Sequence, residues 1–176
     1  MMRDAAKHPW VHGRLRIARS VLERVFEEAR LGYARDEESC GFLVGPAAEP
    51  LFVDGLVPME NRASKLHALD PESYPRTGRT YFDLDPMSFD REVKAREARG
   101  QPVKVLYHSH LDVGAYFSET DAAAATAGGD EPAYDLGYLV TSVRSGTVDD
   151  HKLFVWDSAA RAFVPSPMTV LEERGA

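Results

Sequence analysis

A chain of 176 residues with a formal charge of −7 is long enough for one domain with a proper core and short for two. The acidic surplus gives no electrostatic reason to hold nucleic acid or an anionic membrane, both of which ask for clustered Lys and Arg. A composition of 44% hydrophobic and 28% charged residues excludes a disordered chain, and a lone cysteine, Cys40, excludes an internal disulfide.

The first dozen residues, with His8, Pro9 and His12, show no periodicity and are expected to form a loose leading segment. They also lack the apolar stretch of a secretory signal. No run approaches the roughly 20 apolar residues that cross a bilayer, so a soluble cytoplasmic protein is the expectation. From Ile17 the apolar residues Val21, Leu22, Val25, Phe26 and Ala29 fall on one helical stripe, with Arg19, Glu23, Arg24, Glu27 and Glu28 opposite. The run Cys40-Gly41-Phe42-Leu43-Val44-Gly45 and a second from Leu51 to Val57 read as paired strands. Residues 59–79 have no period of either kind and read as a long loop, a candidate substrate flap.

Tyr81 to Leu84 reads as a short strand. Asp85-Pro86 then opens a helix to about Arg99, with Asp85 as its cap, and Gly100 stops it. Val103 to Tyr107 is a strand running into His108-Ser109-His110. Ser118 begins another helix that ends at Gly128-Gly129. Strands near Leu136–Val143, Lys152–Trp156 and Ala162–Val164 complete a single domain over residues 14–165, with 1–13 and 166–176 as flexible ends.

His108 and His110 are two apart at a strand end, so their side chains leave one face while Ser109 points the other way. Ser118 and Asp121 fall in one helical turn that can face back toward that strand end. Two imidazoles and one carboxylate suit Zn²⁺ and leave a fourth tetrahedral position open, which marks a catalytic site. Glu38 stands at the mouth of the first strand. There it can take a proton from water at the open position and hand it to a leaving amine, while Ser118 lends a hydroxyl to the developing oxyanion.

These residues carry a resemblance. His108-Ser109-His110, seven residues from Leu111 to Phe117, then Ser118-Glu119-Thr120-Asp121 are similar to the His-x-His-x7-Ser-x-x-Asp signature of the JAMM, or MPN-plus, zinc metalloproteases. Glu38-Ser39-Cys40-Gly41 resembles their upstream Glu-x-x-Gly turn. The resemblance extends over about residues 14–160, leaving the stretch 59–80 without a counterpart. It implies an α/β fold of the cytidine-deaminase kind, three layers α/β/α around a central mixed sheet. It implies one Zn²⁺ per chain on His108, His110 and Asp121, with Glu38 and Ser118 as catalytic residues. The substrates it implies are ubiquitin-like proteins or the Gly-Gly ends of sulfur-carrier proteins, and dimers through an exposed helix are common among such proteins. The spacer opens with Leu111 where many prokaryotic relatives carry proline, a change that bears on the substrate groove and not on metal binding.

Two other functions compete with an isopeptidase: an inactive protein-binding scaffold of the same fold, and a zinc amidase for small molecules. A nucleobase deaminase is excluded, because it needs a Pro-Cys-x-x-Cys ligand pair that one cysteine cannot provide. Ser118-x-x-Asp121 also reads as a capping-box variant, which is compatible with a ligand role. Cys40 reads as a buried structural cysteine. His8, His12, His67 and His151 read as surface or loop residues, and Asp112 as a solvated loop acid.

Overall fold

The computed structural model describes residues 4–172. Its centre is a nine-residue strand, β5 (Val103–Leu111), buried along its whole length. A strand covered on both faces must lie inside a sheet, with a layer on either side. β5 pairs antiparallel with β2 (Cys40–Val44) and parallel with β6 (Gly137–Arg144). Adding β4 (Gly55–Met59), β7 (Thr147–Asp157) and β8 (Ala162–Ser166) gives a six-stranded mixed sheet of order β4-β2-β5-β6-β7-β8.

Alternation along β5 sends Val105 and Tyr107 to one face, where they pack with Val21, Leu22 and Val25 of α1 (Arg19–Ala34). Leu106 goes to the other face, with Phe89 and Val93 of α3 (Pro86–Ala98) and Ala125 of α4 (Glu119–Ala125). The result is one mixed α/β domain with helices on both faces of the sheet, compatible with the cytidine-deaminase-like arrangement. Among the described residues no helix is long and apolar enough to cross a membrane.

Several local expectations are corrected. Leu15–Ala18 forms a strand, β1, where the helical stripe was expected to start. Ile17 fits both patterns, but Leu15 and Ile17, each 0% exposed on either side of exposed Arg16, follow the period of two. The run from Leu51 to Val57 is divided at Asp54. β3 (Phe52–Val53) joins β1, whereas β4 pairs with β2. The 59–79 loop contains a helix, α2 (Ala63–Leu69), which buries only Ala63 and so leaves no apolar stripe to read. Tyr81 to Leu84 is in no strand of either sheet.

The expected loose ends are also ordered where they are described. Pro9–His12 is a 3-10 turn with Trp10 and Val11 buried, and Trp10 Nε1 donates to the Asp135 carbonyl at 2.7 Å. β9 (Met168–Leu171) pairs in parallel with β1, completing a three-stranded sheet of order β3-β1-β9. Residues 1–3 and 173–176 of those expected ends lie outside the described residues. His8 is no surface residue. It is buried and stacked on Trp10, with Nδ1 2.9 Å from Asp135 Oδ2 and Nε2 2.9 Å from Glu97 Oε1.

Lys104 is fully buried on β5, a place lysine takes only when its charge is met. Its Nζ donates to the carbonyls of Pro46, Glu49 and Phe52 at 2.7–3.0 Å, tying the turn between β2 and β3 to the central strand.

Candidate metal centre

The end of β5 brings the two histidines together on the face shared with α3 and α4. Their Nε2 atoms lie 3.2 Å apart. Asp121 Oδ2 is 3.2 Å from His108 Nε2 and 3.5 Å from His110 Nε2. All three side chains are buried, and their donor atoms lie within 4.8 Å of one another, so the cluster is able to hold a metal ion.

Each donor is held from behind. His110 Nδ1 faces the Gly114 carbonyl at 2.8 Å and donates to it, which keeps the lone pair on Nε2, toward the cluster. The His108 ring is stacked on Phe82, with centroids 4.6 Å apart. Asp121 is fixed by a capping box at the start of α4: Asp121 N donates to Ser118 Oγ at 3.0 Å, and Ser118 N donates to Asp121 Oδ2 at 2.9 Å. The same carboxylate oxygen therefore caps the helix and faces the histidines.

Electrostatics agree with this geometry. Burial pushes the Asp121 carboxyl up, but His108 and His110 beside it outweigh that and hold it well below the ordinary carboxylate range. Burial also lowers His108, against the opposing pull of Asp121. A neutral imidazole beside an ionised carboxylate is the protonation state that metal ligation requires.

Glu38 enters from the neighbouring strand. Cys40 pairs with His108 across the β2–β5 ladder, and Glu38 precedes it by two residues. Glu38 is 5% exposed, and burial, with the Asp121 charge second, pushes its carboxyl up to about 9, against the opposing Arg76. Ser109, pointing away from the cluster, accepts from Ser39 N at 2.8 Å and locks the two strands in register. Gly41 has a steric reason. A Cβ there would strike the Val57 carbonyl and lie 2.7 Å from Tyr107 Oη, so a larger residue would prise β2 away from its neighbours.

Cys40 is buried as expected, and burial raises its thiol. Asp112 is more than a solvated acid: at φ 61° it accepts from Tyr33 Oη at 3.2 Å, Ser145 N at 3.0 Å and Arg79 Nη2 at 3.2 Å.

The sequence reading missed three residues. Asn61, 8% exposed, donates to the carbonyls of Glu38 and Tyr81, each at 3.0 Å, and accepts from Asp83 N at 3.0 Å. It thereby binds the Glu38 backbone to the segment that carries Phe82. Arg76 reaches across to Thr120 Oγ1 at 3.0 Å. The stretch read as a flap thus bridges from Glu38, whose N–H donates to the Gly78 carbonyl at 2.6 Å, to the first turn of α4. Asn61 and Arg76 lie in a polar stretch without period, and Phe82 in a short run read as a strand, so none of the three gave a signal for the site.

Comparison with known proteins agrees with this fold. The chain has the same architecture as a protein of Desulfitobacterium hafniense (20% identity, 90% of this chain and 94% of that one, TM-score 0.61). It is also similar to a protein of Salinibacter ruber (24% identity, 89% and 92%, TM-score 0.58). A third similar structure is a JAB1/MPN domain protein from Archaeoglobus fulgidus (16% identity, 90% and 100%, TM-score 0.52). No curated protein matches the sequence. Residues 18–156 match the family model described as prokaryotic homologs of the JAB domain, a span that contains Glu38, His108, His110, Ser118 and Asp121. The chain belongs to that family.

Proposed function

We propose that this protein is a zinc-dependent peptidase or isopeptidase that hydrolyses an amide bond at the C-terminal end of a ubiquitin-like or sulfur-carrier protein. The observation that carries the reading is the convergence of His108, His110 and Asp121 beside a buried Glu38. Two imidazole nitrogens and one carboxylate oxygen fit Zn²⁺ with a position to spare. Bound there, zinc supplies Lewis acidity that acidifies water and polarises a carbonyl.

The rest is done by side chains of this chain. Glu38, in a nearly dry position, takes a proton from the attacking water and returns it to the nitrogen of the leaving amine. Burial raises its affinity for a proton, and the charge of a bound cation would counter that rise and keep it ionised to act as the base. Ser118 Oγ accepts from Asp121 N, which leaves its own hydrogen to donate to the oxygen of the tetrahedral adduct. Phe82, stacked on the His108 ring, holds that ring in place.

The test is cleavage of a sulfur-carrier protein bearing a short tail after Gly-Gly, read by mass spectrometry on zinc-loaded protein. The reading expects a cut after Gly-Gly by the wild type and none by Glu38→Gln. An uncut tail, together with uncut ubiquitin-like isopeptide conjugates, would refute the substrate class.

A further inference from the structure

A cavity of about 430 Å³ opens beside the ligand cluster, and His108 and Asp121 form part of its wall. Phe82, the ring stacked on His108, lines it too. Deeper in, the lining is Phe89, Leu106, Leu136 and Tyr138, and Ala124 of α4 stands at an exposed edge. Glu38 lies outside this lining, so the hydrolytic steps above make no use of the space. Its volume is in the range of pockets that bind small groups, and its walls are mainly apolar. The acid at its rim, Asp83, is already engaged by Arg62 at 2.6 Å, so it offers little to a cationic guest.

A group held at the cluster therefore has a greasy recess directly alongside. We propose that this cavity receives the apolar side chain, branched aliphatic or aromatic, of the residue on the amine side of the scissile amide, the acyl side being glycine, and so selects substrates by that residue. The inference rests on the hydrolytic reading of the His108, His110 and Asp121 site. Burying one such side chain accounts for a discrimination of about tenfold or more over a substrate with none.

Three zinc-binding probes separate the possibilities, titrated into the zinc-loaded full chain by calorimetry. Acetohydroxamate carries no side chain, 3-phenylpropanohydroxamate places a ring on the acyl side, and N-benzylacetohydroxamate places it on the amine side. N-benzylacetohydroxamate is expected to bind about tenfold or more tighter than acetohydroxamate, and a gain by the acyl-side probe alone overturns the proposal. In Ala124→Phe, whose ring fills the cavity from the exposed edge of α4, that ratio is expected to fall to about one. Ala124→Leu, the smaller filler, is expected to give an intermediate ratio. Equal affinity for all three probes, or a ratio that survives both variants, overturns the proposal and leaves the metal site standing. Failure of all three probes to bind the zinc-loaded chain overturns the pocket as a recess beside the metal, whereas failure of the chain to load zinc is what takes down the metal reading.

Discussion

His108 Nε2 stands 3.2 Å from Asp121 Oδ2, a contact between the end of a buried strand and the first turn of a helix. Neither residue has a surface role that would explain it. Burial of both is unfavourable unless each finds a partner, and a metal ion held between them is the partner that the proposed function supplies.

The first prediction concerns that cation. Protein purified without chelators should carry near one zinc per chain by elemental analysis, and His108→Ala and Asp121→Ala should carry none. Free zinc at a hundred times its dissociation constant should raise the unfolding free energy of the wild type by about 2.7 kcal/mol and leave both variants unmoved. Metal content that persists in the variants would place the ion elsewhere.

Glu38→Gln preserves shape and removes the proton carrier. Zinc content should match the wild type, and turnover should drop by about 10² to 10⁴. Steady-state kinetics on any cleaved substrate checks this. Undiminished turnover would remove Glu38 from the mechanism.

Gly41 is close-packed against Tyr107 and the Val57 carbonyl, so Gly41→Ala overfills a rigid crossing of strands. Urea denaturation should show a loss of about 1–3 kcal/mol. A change within experimental scatter would mean that β2 shifts without cost and that the motif glycine has no steric role.

The ion cluster around His8 sets a pH dependence. Hydrogen bonding from His8, aided by Lys7, holds the Glu97 carboxyl below its ordinary value of 4.5. A depressed carboxylate stabilises the fold fully above its unfolded pKa and loses that contribution as pH falls through the folded value. The stability gap between wild type and Glu97→Gln should therefore be constant above about pH 5 and close on acidification below 4.5. Denaturant titrations from pH 3 to 7 read it; a gap that widens in acid would contradict the assigned contact.

How much was readable in advance depended on the range of the forces involved. The sequence by itself determined the three candidate ligands, two on a strand and one in the first turn of a helix. His108 and His110 are two apart, Ser118 and Asp121 three apart, and these spacings map onto strand and helix geometry with no knowledge of the rest of the chain. The long apolar stripe of α1 and the apolar runs of β2, β5 and β6 were legible for the same reason: burial of a whole face leaves a period behind.

What only the tertiary structure decided was everything held by contacts between distant residues. Leu15 and Ile17 became a strand because β3 and β9 were there to pair with them. His8 is buried because Asp135 and Glu97 meet both its nitrogens, partners 127 and 89 residues away. Asn61 and Arg76 reach the site from a stretch with no period and Phe82 from a short run read as a strand, since polar hydrogen bonds and a single stacked ring need one correct residue each and leave no repeating pattern to read.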